Sequence, residues 1–197
     1  MQPRIVLASA SPRRRELLAQ IGLRFEVVAA SVTEAVAAGE TAEDYVVRVA
    51  VDKARAVCWE AGPECCIVAA DTEVVLDGEV FGKPRDFGHF QDMARRLSGR
   101  EHRVLSAVAV CRGESLQTAL SVTTVEFRPL AGAEIDAYWC SGEPADKAGG
   151  YAIQGLGAVF VTRLCGSYSG VMGLPLQETA ALLQAAGVSV IAEPGSR

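Results

Sequence analysis

Histidine is scarce in this chain: only His89 and His102 are present, and none of the six cysteines forms a C-x-x-C pair. A Cys/His zinc site is therefore not expected. Cys58, Cys65, Cys66, Cys111, Cys140 and Cys165 mostly lie in apolar runs and read as small core residues of a reducing compartment. No apolar run approaches the ~18 residues of a membrane span, and the N-terminus lacks a signal-peptide core. A soluble cytoplasmic protein is the expectation. Walker loop, nucleophile elbow and Ser-His-Asp arrangement are all missing, which removes the commonest nucleotide-binding and acyl-transfer signatures. Positive charge is also short: the net charge of −5 offers no general attraction to nucleic acid polymers or anionic membranes. A chain of this balance that handles a polyanion must gather its basic residues in one cleft.

What is present is a chain of 197 residues, half of them apolar. It is read as one domain spanning residues 1–197 with a loose tail at about 193–197. Strand and helix signals alternate. Strands are predicted at about 4–8, 25–29, 66–70, 103–111, 115–128, 158–164 and 188–191. Helices are predicted at about 12–21, 42–59, 87–97, 133–140 and 174–186. Asp77-Gly78 marks a tight hairpin turn between residues 73 and 80. The expected fold is α/β, a mixed and partly antiparallel twisted sheet flanked by helices, with two lobes around a cleft.

Charge appears where charge is costly. After the first strand, Ser11-Pro12 is a helix start, with Ser as N-cap and Pro at N1. Arg13, Arg14 and Arg15 then fall in the first turn, where the helix dipole disfavours cations by up to ~1 kcal/mol each. Either this is a solvated basic turn, or an anion sits there among free backbone N–H groups and guanidinium forks. The strand–turn–helix context favours a phosphate. On the long helix, Lys53 falls inside the apolar stripe Val46, Val49, Ala50 and Val57. It must snorkel, meet an anion or lose its proton. Asp71 is placed at the end of the 66–70 strand, where ligands of open α/β sheets gather. There it reads as an N-cap, or as a carboxylate that holds a divalent cation, deprotonates a water, or both. Glu34 follows the second strand in the same way. Gly82-Lys83-Pro84 holds one lysine on a stiff turn, and the glycines of residues 141–155 permit close approach to a ligand. Gln154 in that loop offers a donor and an acceptor for a base edge.

These segments, in this order, resemble the Maf family of septum formation inhibitor proteins, known also as nucleoside triphosphate pyrophosphatases. The likeness runs through Leu7-Ala8-Ser9-x-Ser11-Pro12-Arg13-Arg14-x-Glu16-Leu17-Leu18, Ala70-Asp71-Thr72, Gly82-Lys83-Pro84, Ser141-Gly142-Glu143-Pro144-x-Asp146-Lys147-Ala148-Gly149 and Ile153-Gln154-Gly155. It implies an inosine-triphosphatase-like fold, and hydrolysis between the α and β phosphates to a monophosphate and pyrophosphate. It also implies a divalent cation (Mg²⁺ or Mn²⁺), held by Asp71 and Glu34, and a homodimer. Asp71 matches the family's proton acceptor, aided by Lys53 and Glu34. Ser9, Ser11, Arg13, Arg14, Thr72, Lys83, Asp146, Lys147 and Gln154 are the implied substrate contacts, with Arg13, Thr72 and Gln154 tied to base choice. Arg13-Arg14 after the proline looks like the branch acting on dTTP and UTP. The rival readings are a 7-methyl-GTP-type pyrophosphatase and a non-catalytic nucleotide sensor acting in cell division. Ser31 stands where an aspartate is frequent, which thins the carboxylate cluster. Ser106 replaces a usual threonine, and Glu73 and Ala152 also depart from the common pattern.

Overall fold

The computed structural model of the chain describes residues 3–191. Its first strand, β1 (Arg4–Leu7), lies parallel to β2 (Glu26–Val27) and to β3 (Cys65–Leu76). The short β4 (Glu79–Phe81) folds back on β3 through Asp77 and Gly78, both at positive φ as the tight hairpin demands. β5 (Glu101–Arg112) and β6 (Ser115–Phe127) form a long antiparallel hairpin, and β7 (Val161–Cys165) closes the far edge. The order is β2-β1-β3-β5-β6-β7, with β4 on β3, so the sheet is mixed as expected.

Helices cover both faces. α1 (Pro12–Gln20) starts as the sequence signals: the Ser11 hydroxyl accepts from the Arg14 N–H at 3.5 Å, with Pro12 in the first turn. α2 (Ala42–Ala61) is capped by Thr41, whose hydroxyl accepts from the Asp44 N–H at 3.1 Å. Its stripe of Val46, Val49, Ala50, Ala54 and Val57 is buried, mostly against Ile67, Ala69 and Ala107 of the sheet. On the opposite face, Leu17 and Leu18 of α1 and Leu183 of α6 (Leu176–Ala185) pack on Val68, Ala70 and Val108. A third cluster joins α3 (Phe87–Leu97) and α4 (Gly132–Cys140) to Val74, Val104 and Val125. Among the described residues, no helix is long and apolar enough to cross a membrane.

Several expectations need correction. The strand placed at residues 66–70 continues through Asp71 to Leu76, because β5 supplies hydrogen-bond partners along its length. Residues 188–191 form no strand, and the segment after α6 ends in bends. The strand expected at 158–164 begins only at Val161, since Leu156–Phe160 is a 3₁₀ turn. A short helix, α5 (Tyr168–Met172), was not foreseen in its glycine-flanked sequence. The tail at 193–197 lies outside the described residues.

Candidate active site

The site exists because β1 is short. It stops at Leu7, opposite Val68, and the Ala8 N–H donates to the Val68 carbonyl at 2.8 Å. β3 continues past that point, so its edge is bare where the chain turns through Ser9–Ser11 into α1. A cavity of about 470 Å³ opens there, lined by side chains from both faces of the sheet. Strand parity sorts its side chains. Asp71 and Glu73 share the α2 face with Ala69 and Val75, whereas Thr72 shares the α1 and α6 face with Ala70. Asp71 is thus in mid-strand, paired with Ala107, and it is β1 whose carboxyl end marks the site. That corrects its placement at a strand end.

Lys53 does not snorkel. It is 7% exposed, and its Nζ donates to Asp71 Oδ1 at 2.8 Å and to Glu34 Oε1 at 2.6 Å. Two carboxylates around one ammonium let charge persist at a depth where an isolated ion could not. Burial pushes Glu34 up, but the hydrogen bond and charge of Lys53 outweigh it and leave its pKa below the usual value. A third carboxylate, Glu73, has no such partner. Burial, then the charges of Asp71 and Glu34, push it up to about 8, and its Oε2 is buried without a hydrogen bond. Tyr45 of α2 feels the same field, raised to about 12 by burial and then by Glu73 and Asp71.

The opposite wall is cationic. Arg14 Nε donates to the Gly173 carbonyl at 2.8 Å, Nη1 to Ser9 Oγ at 3.4 Å and Nη2 to Thr72 Oγ1 at 3.4 Å. All three acceptors are neutral. Burial lowers its pKa, opposed by Asp71, and no carboxylate neutralises the guanidinium directly. Thr72 Oγ1 lies 2.9 Å from Ser106 Oγ, which donates to the Gly170 carbonyl at 2.5 Å. Ser106 therefore keeps the hydroxyl that the usual threonine would supply, and the engaged Thr72 hydroxyl positions Arg14.

At the mouth, Arg13 Nη1 stands 3.8 Å from Asp146 Oδ2, and Lys147 is ion-paired with the same carboxylate. Exposed Lys83 and Gln154 line the rim with Ser11, and the Gln154 amide has no protein partner among the described residues. Every residue expected at the site borders this one cavity. The glycines of its loop do a different job from the one expected. Gly149 and Gly150, at φ 68° and 69°, approach the protein: a Cβ there would stand 2.7 Å from Val74 and 2.8 Å from Phe90. They pin the loop to the core. Nearby, Tyr151 is fixed by His102 Nε2 at 2.9 Å; burial holds that histidine down at about 4, so it is neutral and structural.

Sequence reasoning missed Glu73, Tyr45 and the Gly173 carbonyl as site groups. The period of two along β3 would have found Glu73 beside Asp71, had the strand not been ended at residue 70. The donor set fits a hard divalent cation. Asp71 Oδ2 and Glu73 Oε2 are buried oxygens without partners on one strand face. Among the described residues no three ligands converge tightly enough to hold an ion alone, so water or phosphate oxygens would complete the shell.

Fold and site together define an α/β protein in which one cavity sets a cluster of carboxylates against a cationic cradle. The family model of the Maf-like proteins matches residues 4–186, and the chain belongs to that family. A Methylococcus capsulatus relative named dTTP/UTP pyrophosphatase is 58% identical, over 94% of this chain and 92% of its own. Relatives of the same name from Anaeromyxobacter dehalogenans and Vibrio parahaemolyticus are 56% and 49% identical, over 95% and 91% of this chain and 96% and 95% of theirs. The crystal structure of a Vibrio cholerae protein shares the fold at TM-score 0.50 and 13% identity, over 95% of this chain and 99% of that one.

Proposed function

We propose that this chain, acting as one domain, hydrolyses dTTP and UTP between the α and β phosphates, giving the nucleoside monophosphate and pyrophosphate. The observation that carries the reading is Arg14: a half-buried guanidinium held by three neutral oxygens, lining the same cavity as the Lys53–Asp71 pair. Such a cation is stabilised by an incoming anion, and a phosphate brings matching acceptors. The near-complete likeness to the dTTP/UTP pyrophosphatases supports the substrate class.

In this reading the polyphosphate lies along Ser9–Arg14, with Lys83 and Lys147 adding positive charge at the rim. Asp71, held by Lys53 through Oδ1, keeps Oδ2 free to take a proton from a water aimed at the α phosphorus. Asp71 and Glu34, with the partnerless Oε2 of Glu73 beside them, would hold a divalent cation (Mg²⁺ or Mn²⁺), which when bound would neutralise phosphate charge and favour in-line displacement. Gln154 and Arg13 contact the pyrimidine, and Thr72 contributes by orienting Arg14. The attacking oxygen ends in the monophosphate, and no covalent enzyme intermediate is needed.

The test is a panel of nucleoside triphosphates, 7-methyl-GTP included, assayed for pyrophosphate and orthophosphate with and without Mg²⁺. Pyrophosphate from dTTP and UTP is expected. A preference for 7-methyl-GTP moves the chain to the sister activity. Nucleotide binding without any turnover overturns the enzyme reading in favour of a sensor.

A further inference from the structure

A second pair of reactive groups lies away from the cavity and has no part in the chemistry proposed for it. Cys58, on the C-terminal half of α2, and Cys111, near the end of β5, bring their sulfurs to 2.7 Å. That is within ~0.7 Å of the ~2.0 Å of a disulfide bond. Both sulfurs also approach the Gly113 carbonyl, at 4.0 and 3.9 Å. Cys111 is buried and Cys58 half-buried, so one member of the pair is reachable from solvent. The other cysteines are arranged differently. Cys65 donates to the Ala61 carbonyl at 3.1 Å, Cys66 sits in the core on the opposite face of the sheet, and Cys140 and Cys165 are exposed.

We propose that Cys58 and Cys111 form a reversible intramolecular disulfide when the protein meets a peroxide. The Cys58 thiolate attacks the peroxide O–O bond, giving a sulfenic acid and releasing an alcohol, or water when the oxidant is hydrogen peroxide. The Cys111 sulfur then attacks the sulfenic sulfur, its proton leaving with the hydroxide as water. Both thiols are oxidised and the peroxide is reduced. Order along the pair follows exposure: half-buried Cys58 is the sulfur a peroxide can reach, and buried Cys111 stands 2.7 Å behind it to resolve the sulfenic acid. Burial, with Cys58 beside it, raises the Cys111 thiol to about 12. The bond ties α2, the helix bearing Lys53, to the strand it packs on.

The experiment treats the reduced full chain with a small excess of hydrogen peroxide, blocks remaining thiols with an alkylating agent, and maps peptides without reduction. The expected product is one cross-linked peptide joining Cys58 to Cys111, reversed by dithiothreitol, with Cys140 and Cys165 as reference thiols. Thermal unfolding of the oxidised protein should shift upward by several degrees, as closing a long loop predicts. In Cys111→Ser the Cys58 sulfenic acid should persist and react with dimedone. Oxidation of Cys140 and Cys165 while Cys58 and Cys111 both stay alkylatable overturns the proposal, as does a Cys58 adduct with Cys111 left free.

Discussion

Glu73 is the least comfortable group in the cavity, and replacing it by glutamine should stabilise the protein at alkaline pH. Its carboxyl is raised from the ordinary 4.5 to about 8, by burial first and by the Asp71 and Glu34 charges next. Between those values the native state binds a proton that the unfolded chain has lost. A carboxyl raised in this way contributes stability below its unfolded value and loses that contribution as pH climbs toward 8. At ~1.4 kcal/mol per pH unit the full interval is on the order of 5 kcal/mol, an upper bound that relaxation and water entry reduce. Glu73→Gln keeps the shape and removes the titration. In the presence of EDTA it should unfold ~5–15 °C above the parent at pH 8.5, at ~2–4 °C per kcal/mol for a chain of this size. At pH 5 the two should nearly coincide. Calorimetry across pH 5 to 8.5 is the assay, and a Tm difference of equal size at both ends refutes the titration argument.

Asp71→Asn should cut turnover by roughly 10²-fold or more with nucleotide affinity kept, read as pyrophosphate release beside calorimetric binding. Arg14→Lys breaks a fork that reaches Gly173, Ser9 and Thr72 together, and should lower kcat/KM by roughly 10–100-fold, mainly through KM. Gly149→Ala puts a Cβ 2.7 Å from Val74 at φ 68° and should cost about 2–4 kcal/mol by denaturant unfolding. Adding Val74→Ala removes the two methyls and should restore part of the steric loss, since its Cβ stays 3.0 Å away, and none of the backbone part. EDTA should abolish hydrolysis, with Mg²⁺ or Mn²⁺ restoring it; full activity in EDTA would remove the cation from the scheme.

The cavity was readable because its parts violate local rules: three arginines at a helix N-terminus, a lysine in an apolar stripe, and carboxylates breaking apolar runs. Each violation carries an electrostatic cost that only a partner or a ligand offsets, and the structure supplies the partner for Lys53. What was not readable depends on pairing between distant segments. β3 runs unbroken from the 66–70 strand through Asp71 and Thr72 into the hairpin read at 73–80 because β5 is there to bond it, and no feature of residues 71 and 72 announces that neighbour. The same hidden continuation concealed Glu73. The glycines of residues 141–155 read in sequence as room for a ligand because permissive backbone looks alike whether a phosphate or a valine approaches it. Arg14 was visible as a charge, but its capture by neutral oxygens alone was not.

The most direct test of water attack in this cavity is hydrolysis of dTTP in heavy-oxygen water, with products separated and weighed. Label confined to the monophosphate is expected of a water deprotonated at Asp71 and driven onto the α phosphorus. Label in pyrophosphate or in orthophosphate contradicts it.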